Sequence, residues 1–514
     1  MTPTTRRSAL AFIGAAAAAG LAPPALAQTQ PRPAFGYDDV VARAAERAAT
    51  AYQPPSTTLP AGLANLTYDG YRDIRFRKSE ALLGGPFTME MFHPGFLYTR
   101  LVRLNIVRDG VAEPVPYEAS LFDYGHNTFN PPLPRDLGYA GFRLHAPLNR
   151  PDVQDELIVF LGASYFRFLG RGQRYGLSAR GIAVGSGEPN EEFPEFREFW
   201  VQEPAAGDQS AMIWALLDGP SLAGAYQFIV TPGEFTTVEV TATLYARREV
   251  PRLGIAPLTS MFYVSENDRR FKDDFRPEVH DSDGLLVHTG GGEWLWRPLR
   301  NPATPRISSF ADVNPRGFGL MQRDRAFEHY EDLEARYDLR PSYFVETIGD
   351  WGEGRVELVE LPAPDETYDN IGAFWVRNEP VRPGQPLKVA YRISARNDGS
   401  ELHGGGQVFH TFQTAPRAHG VRDAPVRPDA RRFIVDFTGG ELPYYLPAAK
   451  EVQLAPSVTG GRIIGTFLVP HEQAKGFRAG IDVAVEPGKT ADIRAFLRAG
   501  DRALTETWTF PWAP

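Results

Sequence analysis

The chain has 514 residues, 43% of them hydrophobic and 23% charged, with a formal net charge of -9 at pH 7. That length exceeds one ordinary hydrophobic core, and the composition is that of a globular chain rather than a disordered one. The charge argues against nucleic acid, whose phosphates need a basic face, and a Cys count of 0 removes disulfides, thiolate metal sites and cysteine nucleophiles.

The first element is a targeting segment. A basic stretch at Thr5–Ala11, an Ala/Gly/Leu-rich run and the Ala25-Leu26-Ala27 site predict a signal peptide over residues 1–27. The Arg6-Arg7 pair points to twin-arginine export, while Ala9, where a Phe is usual, leaves ordinary Sec export open. No later run approaches the ~20 apolar residues of a membrane helix, so the expectation is a soluble periplasmic protein without stable membrane insertion.

After a flexible leader at Pro31–Pro33, Asp38–Ala48 reads as an amphipathic helix with Asp38 as its N-cap. From Tyr68 to Ile393 short strands alternate with Gly/Pro turns; the totals of 49 Gly and 45 Pro favour an all-β architecture. Thr236–Leu244 alternates with period two and predicts a half-buried strand, as does Arg355–Leu361. Phe327–Tyr337 is a helical exception, with Phe327, Tyr330 and Leu333 on its core face. A composition break at Asn397–Gly405 divides a large domain over 28–396 from a linker over 397–407 and a small domain over 408–514. The small domain holds about seven strand candidates, which suits an immunoglobulin-like sandwich.

The chemistry concentrates between Arg276 and Trp375, where carboxylates, Trp/Tyr rings and Arg/His donors alternate. Glycoside cleavage needs one carboxylic acid for the leaving oxygen, and inversion needs a second carboxylate to activate the incoming group. Glu278, Asp281, Asp283, Glu293, Asp324, Asp350, Glu366 and Asp369 all qualify, and spacing does not choose among them. Asp281-Ser282-Asp283-Gly284 is also good turn chemistry. Trp and Tyr stack sugar faces while Arg and His bond hydroxyl edges. This makes Trp294, Trp296, Trp351, Tyr368 and Trp375 candidate platforms, and His280, Arg323 and Arg325 candidate donors. Core packing explains the Trp residues equally well, since Trp294 and Trp296 share one strand face. A surface ion-pair ladder explains the arginines. His471-Glu472 lacks a second His, and His403 and His410 are isolated, so neither metal nor cofactor is expected.

Ten blocks in order carry a family resemblance: Gly162–Arg167, Tyr175–Gly181, Glu191–Trp200, Leu253–Phe262, Arg276–Leu285, Gly292–Leu299, His329–Glu346, Gly349–Pro362, Asp369–Trp375 and Val435–Leu442. Through them the chain resembles the osmoregulated periplasmic glucan biosynthesis proteins (OpgG/OpgD, also MdoG/MdoD). The resemblance implies a large mutarotase-like β-sandwich with a groove, followed by the immunoglobulin-like domain. It also implies inverting action within β-1,2-glucan, as hydrolase or as branching or cyclising transglycosylase, with Asp369 as acid, Asp281 as base and a relayed proton path. One departure is Tyr368, where the family block usually has Asn. The rival readings are a non-catalytic glucan escort serving a membrane glucan synthase and, from the sandwich alone, a mutarotase-type epimerase. A synthase partner and a homodimer both stay open.

Overall fold

Two large β-sheets pack face to face and supply most of the core. The computed structural model describes residues 34–269, 273–417 and 427–514; the expected signal peptide and leader lie outside them. One sheet runs Thr88–Phe92, Gly141–Ala146, Asp155–Leu161, Tyr165–Phe168, Ser178–Arg180, Leu253–Ser260, Ile371–Arg377, Glu353–Glu360 and Arg306–Val313. The facing sheet has at its centre Trp294–Pro298, Gly284–His288, Gly317–Met321, Ser342–Ile348, Leu387–Arg396, Thr237–Ala246 and Leu222–Thr231. Its long antiparallel strands alternate as their sequence dictates: Val238, Val240, Ala242 and Leu244 all point into the core. Phe160 of the first sheet lies 5.1 Å from Phe228 and 5.2 Å from Phe199 of the second, in edge-on and tilted contacts. The protein is thus all-β, as expected.

Beyond strand Leu387–Arg396 the chain enters strand Gln407–Thr414, the edge of a four-stranded sheet completed by Ala430–Thr438, Gly476–Ala484 and Arg462–His471. Val452–Thr459, Ala491–Ala499 and Thr507–Trp512 face it across a second core of Phe433, Ile481, Ile493, Trp508 and Phe510. Those three strands continue the large sheet, because Thr507–Trp512 pairs in parallel with Trp294–Pro298 through Leu295↔Thr507 and Trp296↔Trp508. The second core also takes in Leu286, Trp296, Met321 and Phe344, so Phe35–Pro514 forms one compact unit.

Two local expectations need correction. The first helix spans Tyr37–Ala48 with Gly36, not Asp38, as N-cap; the Asp39 carboxylate accepts the Gly36 N–H at 2.8 Å. The helix expected over Phe327–Tyr337 stops at Tyr330. Glu331 is left-handed, and the Asp332 carboxylate accepts the N–H groups of Glu334 and Ala335, a local turn that competes with helix. Tyr330 is buried as predicted, but Leu333 is 82% exposed.

Candidate active site

Three consecutive residues, Ser260, Met261 and Phe262, bring Asp281 and Asp369 to one place. Ser260 pairs with Ile371 at the start of the strand that comes after Asp369. The Phe262 N–H donates to Asn370 Oδ1 at 2.9 Å, and Asn370 Nδ2 donates back to Phe262 O at 3.0 Å. The Asp281 N–H donates to Met261 O at 2.9 Å. Upstream, the strand carrying these residues breaks register between Ile255 and Leu258, with Ala256 at φ +49 before Pro257. A bulge of this kind re-aims the side chains beyond it.

Asp369 is exposed and lines a cleft of about 230 Å³ with Tyr98, Val159, Leu161, Tyr165, Phe166 and Arg167. Tyr165 and Arg167 lie two apart on strand Tyr165–Phe168 and share a face. Asp281 is only 5% exposed, and its Oδ1 accepts a hydrogen bond from Arg340 Nη1. Burial pushes the Asp281 carboxyl above its ordinary value; Arg340 opposes this, Asp369 adds to it and Arg167 opposes it. The Asp369 charge therefore reaches Asp281. Burial also raises the Tyr165 phenol, with Arg180 pulling it down and Asp369 pushing it up.

A chain of contacts ties Asp281 to the loop that ends in Asp369. The Arg340 guanidinium lies 4.1 Å over the Tyr337 ring, and Tyr337 Oη donates to Glu366 Oε2 at 2.8 Å. Glu366 pairs with Arg276 at 2.7 Å, and Arg276 pairs in turn with Asp274 and Asp332, each at 2.7 Å. Beside Asp369, Tyr368 is 54% exposed.

Most of the expected sugar contacts lie elsewhere. His280 is fully buried, with Nε2 2.8 Å from Glu278 Oε2 and Nδ1 2.8 Å from Gln322 Oε1, so neither nitrogen is open to a ligand. Burial pulls the imidazole pKa down, but the bond and charge of Glu278 outweigh it and raise it. Trp351 and Trp375 are core residues. Trp296 is covered by Arg323, 3.7 Å from its ring centre, and packs against Gly284, where any Cβ would come within 2.1 Å of the indole. Trp294 stacks on His288 at 3.9 Å and on His403 at 4.8 Å.

The two arginines are likewise turned inward. Arg323 donates from Nη1 and Nη2 to the two carboxylate oxygens of Glu506, at 2.6 and 3.0 Å. Arg325 donates to Asp338 O and Arg340 O. Three more candidate carboxylates have partners of their own, Glu278 in His280 and Ser265, Asp324 in His329 and Glu293 in Arg494, while Asp350 is exposed away from the cleft lining. Asp283 faces the seam with strand Gln407–Thr414, where burial pushes its carboxyl up to about 6 against the pull of His280, Arg323 and two backbone N–H groups.

Residue reasoning missed Tyr98, Tyr165, Arg167 and Arg340. Three of them lie inside two of the family blocks, Gly162–Arg167 and His329–Glu346, but nothing in their own spacing marks them as residues of this site.

The family described as "Periplasmic glucan biosynthesis protein, MdoG" matches residues 35–512. Among curated relatives, Glucans biosynthesis protein G of Ralstonia nicotianae is 46% identical over 501 residues, covering 95% of this chain and 98% of that protein. Its namesake in Rhodopseudomonas palustris is 44% identical over 513 residues, 99% of each chain. The one in Pseudomonas paraeruginosa is 41% identical over 485 residues, 93% of this chain and 92% of that protein.

Proposed function

The chain belongs to the periplasmic glucan biosynthesis protein family, and from that footing we propose that its cleft breaks glycosidic bonds inside β-1,2-linked glucan, with Asp369 as general acid and Asp281 as general base. The observation that carries this reading is the convergence of the two carboxylates over Ser260–Phe262, one exposed in the cleft and one buried against Arg340. Asp369 gives its proton to the glycosidic oxygen as the bond from that oxygen to the anomeric carbon breaks. Asp281 takes the proton of the incoming oxygen, which bonds the opposite face of that carbon. Arg340 holds Oδ1 and favours the ionised base, leaving Oδ2 for the proton.

The incoming group is water in a hydrolase and a sugar hydroxyl in a transglycosylase. Tyr368, exposed beside the acid, and the loop over 397–407 are the places where that choice is made. The setting proposed is the periplasm, with the nascent glucan of a membrane synthase as substrate. Among the described residues no helix is long and apolar enough to cross a membrane.

Incubation with linear β-1,2-glucan in heavy-oxygen water, read by mass spectrometry, tests this reading. Shorter labelled chains identify a hydrolase, and unlabelled cyclic or extended chains a transglycosylase. Unchanged glucan that is nonetheless bound would replace the enzyme with an escort.

A further inference from the structure

An aromatic path leads out of the cleft to the surface. Tyr98 lines the cleft beside Asp369, and its ring lies 5.2 Å from Tyr71. Tyr71 in turn lies 6.3 Å from Phe96, and Phe96 lies 6.3 Å from Tyr68, which is 59% exposed. The path is built from two elements, the short helix Tyr68–Asp73 and the tight turn Gly95–Tyr98, whose end residues exchange N–H···O bonds of 3.0 and 2.9 Å.

Two features of this corner cost stability, and a third lets it form. Phe96 adopts φ +54, a left-handed conformation that aromatic residues rarely take. Leu97 at the tip of the turn is 75% exposed. Gly95, at φ +153, lets the turn pack closely, since a Cβ there would lie 3.0 Å from Leu66 Cδ1 and 3.4 Å from Tyr71 Cδ2 of the helix. Tyr68 and Leu97 together hold two large apolar side chains in water on the elements that carry Tyr71 and the cleft residue Tyr98, and a contiguous patch of this kind offers a binding surface.

We infer that Tyr68, Phe96 and Leu97 form an accessory subsite that grips sugar units of the same glucan chain beyond those in the cleft, so that long chains are held and short ones are not. This rests on the glucan reading above and adds a chain-length preference to it. The occupant is set by chemistry and continuity: pyranose rings present apolar C–H faces to aromatic and aliphatic side chains, and the path begins at a residue of the cleft itself.

The test uses the mature chain, its Tyr68→Ala, Leu97→Ala and Tyr68→Phe variants, and long and short size fractions of linear β-1,2-glucan. Both Ala positions are exposed, so folding is unaffected. KM for the long fraction should rise about three- to tenfold in each Ala variant, with kcat and all short-fraction constants unchanged. Tyr68→Phe, which keeps the ring, should restore the wild-type KM. Equal effects on both fractions, or none on either, would overturn the subsite. If the wild type leaves glucan intact, retention in a glucan-containing native gel replaces KM. Retention lost only in the Ala variants would then sink the catalytic reading and keep the subsite, while retention unchanged would overturn the subsite too. Loss of a dimer in the Ala variants with glucan handling intact would assign the patch to a second copy and overturn it.

Discussion

Asp281 and Asp283 stand two residues apart in one segment and are put to opposite uses. Asp281 is buried against Arg340, which holds one of its oxygens, within reach of the charge of Asp369, the exposed carboxylate of the cleft. Asp283 turns to the seam with the C-terminal strands, among Glu266, His410 and Trp296. Close by, Arg323 makes two bonds to Glu506, and Val408 donates its N–H to the same carboxylate at 2.8 Å. Both regions contain carboxylate, arginine and aromatic side chains. The difference is that the seam's carboxylates bond backbone N–H groups and fix strands together, whereas Asp369 stays exposed in the cleft.

The sharpest way to break this contrast is at Glu506. Its carboxyl is held down to about 2, burial being outweighed by the charge and bonds of Arg323 and His403. Glu506→Gln leaves the buried Arg323 guanidinium without its paired carboxylate, and urea unfolding should show a loss of about 3–5 kcal/mol. Glucan turnover measured well below the unfolding midpoint should be preserved; a turnover defect without a stability loss would put the seam in the mechanism.

Asp283 should respond in the opposite direction. Its folded pKa of about 6 lies above the unfolded value of about 3.9, so the folded state binds the proton more tightly. Its contribution to stability is fully present below the unfolded value and is lost as pH rises through 6. Asp283→Asn should therefore raise Tm at pH 8, by the equivalent of about 3 kcal/mol, and leave it nearly unchanged at pH 4. A variant less stable than wild type at pH 8 would show that the carboxylate charge is needed there.

Arg340 offers the smallest and most specific effect. It favours ionised Asp281, so Arg340→Met raises the pKa of the proposed base. A base works only when ionised, so the acidic side of the pH–rate profile should move up by about one pH unit. An unmoved profile would remove Asp281 from the rate-limiting proton transfer.

How much of this is legible in the sequence depends on the kind of interaction involved. Strand Thr237–Ala246 is readable because alternate burial is written directly into its side chains. The end of the short helix at Tyr330 is not, because a carboxylate bonding to backbone two and three residues ahead looks, in sequence, like any other helical Asp. Trp296, Trp351 and Trp375 show why aromatic composition alone does not find a sugar site: a stacked platform and a core residue have the same letters and spacing, and only the facing elements decide. Arg340 lies 59 positions from Asp281, and Tyr98 and Tyr165 reach the cleft from separate strands and turns, so no local window contains the site. Asp281 and Asp369 stand out from the other carboxylates only through the family blocks.

Glucan turnover by Asp369→Asn, Asp281→Asn and Asp283→Asn, assayed side by side on linear β-1,2-glucan, tests the central claim most directly. The first two should fall by about 10²–10⁴-fold while the third stays within a few-fold of wild type. If Asp283→Asn falls with them, or if either cleft variant keeps wild-type turnover, the assignment of acid and base to this cleft is wrong.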